Sequence, residues 1–161
     1  MTYFSKFPLA LYSFDGKNAI LITDFLRRVN IAPEVLNNDA LYSPYSIQDG
    51  ETPDMIAHKF YGSSTLHWII LLTNQIVDPR FDWCLSQKDL VALVQGTYTN
   101  IYGVHHYENA SGLIVDQSTD AYPVSNLENE TRINESKRII KILNPALVSQ
   151  FVREFEDKIK R

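Results

Sequence analysis

An α+β fold is predicted by three features of the 161-residue sequence. Thr52-Pro53, then Ile56, Ala57 and Phe60, then Gly62, mark a short helix with a start, a buried stripe and a left-handed stop. Strand-like Tyr98 to Glu108, the turn Asn109-Ala-Ser-Gly112 and Leu113-Ile-Val115 read as a β-hairpin. Leu147, Val148, Phe151, Val152, Phe155 and Ile159 recur at helical spacing behind Asn144-Pro145 and mark an amphipathic C-terminal helix. The predicted organisation is an N-terminal arm at 1–44, a small helical module at 45–95, and a C-terminal part at 96–161. That last part holds the hairpin, a polar loop, a strand and the final helix.

In the arm, Tyr12-Ser-Phe-Asp-Gly16 reads as a turn and Asn18-Ala-Ile-Leu-Ile22 as a short strand, while Asp24 to Val29 predicts about a turn and a half of helix. The weak patterning of this stretch fits a segment that packs on the rest of the chain or on a partner. In the module, Tyr45-Ser-Ile47 runs as a strand into the Asp49-Gly50 turn, and the Thr52-capped helix follows. Ser63 or Ser64 then caps a second helix through Leu66, Ile69, Ile70 and Thr73, apolar nearly all round and ended by Asn74. Asp78-Pro79 punctuates the exit, because the residue before proline is pushed out of the helical region. Ser86-Gln-Lys-Asp89 forms a capping box for a third helix through Leu90, Leu93 and Val94, closed by Gly96. Residues 117–136 are polar and aperiodic, which predicts an exposed loop that orders against a partner. Ile139 to Ile142 reads as a last strand, and the C-terminal helix is expected to dock on the chain's own core, with Glu156 and Lys160 as a solvated pair.

Composition narrows the function classes. A net charge of -4, with no Lys/Arg run longer than two, lacks the basic surface a nucleic-acid partner requires. The longest strongly apolar run, Trp68-Ile-Ile-Leu-Leu72, is far short of the roughly 20 residues that cross a bilayer. No signal-peptide pattern opens the sequence, so the expectation is a soluble protein, made inside the cell and not exported by the usual route. Aromatic residues reach 12%, a level that serves a Tyr-rich core and a protein-binding surface equally well.

Candidate chemistry is sparse. There is no phosphate-cradling glycine loop, no His-Glu-x-x-His and no Gly-x-Ser-x-Gly, so no catalytic residue, cofactor or metal is expected. His58 and His67 fall on different helices, and His105 and His106 are consecutive in a strand, pointing to opposite faces unless a bulge intervenes. Cys84 is the only cysteine and reads as a buried, inert thiol. Asp78, Asp82 and Asp89 serve turns and caps, and Glu108, Asp116 and Asp120 are the scattered carboxylates that a small hydrolase would have to use.

The segment from Tyr45 through Asp49-Gly50, Thr52-Pro53, Ile56-Ala57 and Tyr61-Gly62 to Leu66 and Asn74 resembles a LysM motif: a short strand, a Gly-x-Thr turn, an Ile-Ala helix, a Tyr-Gly stop and a second helix ending at Asn. With Tyr61-Gly62, His67-Trp68, Asn74, Asp78-Pro79 and Trp83 it resembles the baseplate wedge protein 53 family of T-even-type contractile phages, specifically over 45–90 and again over 138–160. The resemblance implies a non-enzymatic virion component, a wedge subunit in a multi-subunit tail baseplate that joins neighbouring wedge proteins. No nucleic acid, membrane or small-molecule partner is implied, and Tyr61, Gly62, His67, Trp68, Asn74, Asp78, Pro79 and Trp83 would be structural or interface positions. The alternative implied by the LysM likeness is a carbohydrate-binding module for peptidoglycan or chitin-like N-acetylglucosamine polymers. Its groove would be formed by Gly50, Glu51, Thr52, Ile76 and Val77.

Overall fold

The computed structural model describes residues 3–160 and is mixed α and β. In chain order the elements are β1 (Leu9–Ser13), β2 (Ala19–Thr23), α1 (Pro33–Leu36), β3 (Tyr42–Ser46), α2 (Pro53–Tyr61), α3 (His67–Thr73), α4 (Pro79–Asp82) and α5 (Gln87–Thr97). They continue with β4 (Val104–Glu108), β5 (Ile114–Val115), β6 (Tyr122–Ser125), α6 (Asn126–Ser136), β7 (Ile139–Leu143) and α7 (Val148–Lys160). Among the described residues the strands form three small sheets, β1-β2, β3-β7 and β5-β4-β6. The chain packs as two compact units, each discontinuous in sequence: residues 3–45, 52–79 and 141–160 in the first, 46–51 and 80–140 in the second.

In the first unit α2 starts and stops where its local signals put it, but the expected hydroxyl caps do not form: neither Ser63 nor Ser64 caps α3, whose N-cap is Leu66. Thr52 is the N-cap of α2 with Pro53 behind it, and Gly62 takes the left-handed conformation at φ 71°. The Thr52 hydroxyl caps no backbone N–H; it donates to the Asp54 carboxylate at 2.6 Å. A 3-10 turn, Ser64–Leu66, leads into α3, which buries Trp68, Ile69, Ile70 and Thr73. The Trp68 ring lies 4.6 Å from Phe155, 6.0 Å from Phe151 and 5.4 Å from Tyr3, centroid to centroid. Phe7, Tyr42, Leu143, Val148 and Ile159 complete this core, and Leu147, Phe151 and Val152 pack half-buried against it. The C-terminal helix therefore docks on its own core as its spacing predicts. Asn144 accepts from Ala146 N, and a 3-10 turn at Pro145–Leu147 precedes α7.

Two further expectations for this unit are corrected. Asp24 to Val29 is a turn, not a helix, because the Asp24 carboxylate accepts from Leu26 N at 3.3 Å and from Arg27 Nε at 3.0 Å. Such local side-chain bonds compete with helical ones. Glu156 takes the ammonium of Lys6, 150 residues away and 6% exposed, as its hydrogen-bonded partner, and Lys160 adds only a weaker through-space attraction.

In the second unit, Ser86 accepts from Asp89 N at 3.2 Å and caps α5. The reciprocal bond goes from the Ser86 hydroxyl to Asp89 at 2.7 Å. The helix runs past Gly96, its expected terminus, to Thr97, since Gly96 does not adopt a positive φ. The hairpin forms with Glu108 opposite Ile114 and Gly112 at φ 76° in its turn, and β6 adds on the far side of β4.

The segment 117–136 is the largest correction: in place of an exposed loop it supplies β6 and the eleven-residue helix α6. Ser125 caps that helix by accepting from Glu128 N at 3.2 Å, and α6 packs against α5 and the sheet. Its inward positions are Leu127, Thr131 and Asn134, only one of them apolar, so hydrophobic periodicity is silent although the helix is half covered.

Candidate functional site

Of the eight residues of the wedge-like pattern, Tyr61, Trp68, Asn74 and Trp83 engage other parts of the same chain. Tyr61 ends α2, and its phenol accepts from Leu143 N at 3.1 Å while burial pushes its pKa up to about 12. Gly62 supplies the left-handed stop. His67 opens α3 and donates from Nδ1 to the Ser64 carbonyl at 2.9 Å. Trp68 is the aromatic centre of the first core.

Asn74 works as a two-way clamp on β7. Its Nδ2 donates to the Lys141 carbonyl at 2.8 Å and its Oδ1 accepts from Lys141 N at 2.7 Å, while Nδ2 also reaches the Ile70 carbonyl at 2.9 Å. Asp78 and Pro79 bring the chain into α4. Trp83 donates from its indole to the Glu51 carbonyl at 2.8 Å, locking the Asp49-Gly50 turn in the second unit.

The five positions of the alternative sugar groove are divided between the units, Gly50 and Glu51 in one and Thr52, Ile76 and Val77 in the other. Glu51 is engaged in its own turn, its carboxylate accepting from Gln48 N at 2.8 Å. Ile76 and Val77 line a hollow of about 610 Å³ with Ile31, Leu36 and Leu72.

In the second unit titratable groups form a network around Glu108. The bulge that would exempt His105 and His106 from the opposite-face rule is present: the register shifts between Val104 and His106, and the two Nδ1 atoms lie 2.8 Å apart. His106 Nε2 lies 3.0 Å from Glu108, and Arg132 donates to both Glu108 oxygens at 2.8 Å and to Glu128 at 2.7 Å. The Arg132 guanidinium, helped by His106, holds the Glu108 carboxyl below the usual carboxylate range. The Glu108–Arg132 pair ties β4 to α6. Among the described residues no group of three or more His, Cys, Asp and Glu side chains is placed to hold a metal ion. Cys84 is buried, and burial pushes its thiol up in spite of the Arg138 charge nearby.

What the sequence patterning hid is an apolar surface. In β1 and β2 large side chains stand in solvent: Leu11 is 73% exposed, and Phe14 at the turn is 93% exposed. Leu113, Ile114 and Tyr122 are exposed at one end of the second unit's sheet. No helix among the described residues is long and apolar enough to cross a membrane.

Comparison with known proteins shows the family. Residues 15–117 match the family described as Base plate wedge protein 53. The chain is 29% identical over 70 residues to baseplate wedge protein gp53 of Enterobacteria phage T4, a match covering 42% of this chain and 36% of that protein. The carbohydrate-binding reading gains no support from these matches.

Proposed function

This chain belongs to the base plate wedge protein 53 family, and from that membership we propose that it links neighbouring wedge proteins as a contractile phage tail baseplate assembles. The observation that carries the reading is the family match over residues 15–117, which takes in β2, α2, α3 and the clamp side chain Asn74. The distribution of chemistry supports it. Polar side chains of the motif positions are spent on backbone groups of the same chain, as the bonds of Tyr61, Asn74 and Trp83 illustrate, and large apolar side chains are left in solvent. A subunit that acts by contact rather than by catalysis needs that combination: a rigid frame and an adhesive surface.

Co-expression with the other wedge proteins of the same phage tests this. The chain is expected to co-purify stoichiometrically with at least one of them, and failure to associate with any would end the linking role. Zymography on peptidoglycan is expected to be blank, and binding to chitin oligomers absent at millimolar concentration.

A further inference from the structure

We propose that the β1–β2 hairpin inserts into an uncharged apolar cleft of a different polypeptide of the baseplate, one that covers both faces of the hairpin. This rests on the baseplate reading above and names the surface and the kind of partner.

The hairpin is fixed at its base and bare beyond it. Phe7 is buried in the first core, Lys6 is held by Glu156, and Asp24 N donates to the Pro8 carbonyl at 2.8 Å to close the ribbon. Beyond that point, among the described residues, β1 and β2 pair only with each other. The register places Leu11 opposite Leu21 on one face and Tyr12 opposite Ile20 on the other. Exposure is high on both: 73% and 62% for the leucines, 48% and 60% for Tyr12 and Ile20. With Leu9 and Phe14 these residues offer on the order of 800 Å² of accessible surface over the two faces and the turn together, about what one partner gives to a stable interface. No charged residue occurs in 7–14 or 18–23; Asp15 and Lys17 are confined to the turn. An isolated two-stranded ribbon is marginal in water and gains stability from further strands or a packed face.

The two-sided exposure decides the occupant. A second copy pairing edge to edge would leave both faces wet, and one stacking face to face would cover only one. Nor do the hollows that Leu72 helps to line on this chain suit it. Asn30, Asn37 and Gln75 stand in the walls of one and Asn30, Glu154 and Lys158 in those of the other, polar and charged groups that an uncharged apolar ribbon would bury without partners. The cleft therefore belongs to another protein, apolar and without charges at its walls, since an unpaired charge buried there would be costly.

The test uses assembled virions of the phage that encodes the chain. A photo-crosslinking residue is placed on each face, Leu11→p-benzoylphenylalanine and Ile20→p-benzoylphenylalanine, and the products are identified by mass spectrometry. Both positions are expected to crosslink to the same polypeptide, distinct from this chain. L11S/L21S is expected to lower incorporation at least tenfold while its thermal unfolding stays close to that of the parent chain. Crosslinks to a second copy, a chain present in virions with neither face crosslinked, or undiminished incorporation of L11S/L21S would each overturn the insertion while leaving the baseplate role standing. Absence of the chain from virions would overturn both.

Discussion

The side-chain amide of Asn134 exchanges two hydrogen bonds with the backbone of Leu85: Leu85 N donates to Oδ1 at 2.7 Å, and Nδ2 donates to the Leu85 carbonyl at 3.0 Å. Asn134 is 4% exposed, so neither backbone group has easy recourse to water. Only a side chain with one donor and one acceptor can close this ring. Asn134→Asp is expected to cost about 2–3 kcal/mol at neutral pH, because an ionised carboxylate cannot donate and is buried against a carbonyl. Protonation restores a donor. Burial raises the introduced acid's folded pKa above its unfolded value, so the deficit relative to the parent chain should shrink as pH falls through that folded pKa. Urea denaturation of both proteins between pH 7 and pH 4 checks it, and a deficit independent of pH would count against the ring.

Asn74 makes the same exchange with Lys141 and adds a bond to the Ile70 carbonyl, so one side chain ends α3 and pins β7. Asn74→Ala should destabilise the first unit by about 1–3 kcal/mol. The Lys141 amide is expected to lose protection in hydrogen exchange. Unchanged protection there would mean the clamp carries little.

Trp68 against Phe155 is the aromatic centre of the first core. Trp68→Ala should cost about 3–5 kcal/mol through lost burial and the cavity left behind. Near-UV circular dichroism is expected to weaken with it, since Tyr3 and Phe151 lose the same neighbour.

Tyr61 gives an alkaline signature. Burial pushes its phenol up to about 12 from an ordinary 10, against the opposing effect of the Leu143 N–H. The folded pKa lies above the unfolded one. Its contribution is therefore complete below about pH 10 and is lost as pH rises toward about 12. Tyr61→Phe should remove this dependence and cost about 1–2 kcal/mol at neutral pH by leaving Leu143 N unpaired. Alkaline titration followed by denaturation compares the two.

Asp15 gives an acid one. Backbone N–H groups of Asn18 and Lys17, and the Asn18 amide, hold its carboxyl at about 2 instead of the usual 3.8. The folded pKa lies below the unfolded one, so the turn's support is present above about pH 4 and lost as pH falls toward about 2. Amide resonances of Lys17 and Asn18 should shift across that window, and Asp15→Ala should abolish the transition.

How much was legible follows from the range of each interaction. The start and stop of α2, the Ser86 cap of α5, the hairpin at Asn109–Gly112 and the inward face of α7 were readable, because each is set by residues within one or two turns of chain. β1 escaped because its apolar residues do not alternate with polar ones. In this hairpin both faces are apolar and both are exposed, so the usual inside-outside code is absent. α6 escaped because its inward positions are polar apart from Leu127; Ser125-Asn-Leu-Glu128, a Ser-x-x-Glu capping signature, was the one local sign of it. The helix expected after Asp24 failed for the opposite reason, a local side-chain bond outcompeting helical ones.

For the site, the motif residues were legible as a pattern and their jobs were not. Tyr61, Asn74 and Trp83 look alike as candidates for contact with a partner, yet each spends its polar atoms on backbone far away in sequence. The exposed apolar hairpin carried no motif at all.

The sequence by itself determined the mixed α+β character, the helix caps and the family pattern, because capping, turn formation and periodicity are energies of near neighbours along the chain. Tertiary structure alone decided that Lys6 meets Glu156 across 150 residues and that Asn134 closes on Leu85 across 49. It also decided that the hairpin's leucines stay outside the core. A buried charge or amide gains its partner only when packing excludes water around both, and no local pattern encodes which distant group will be there.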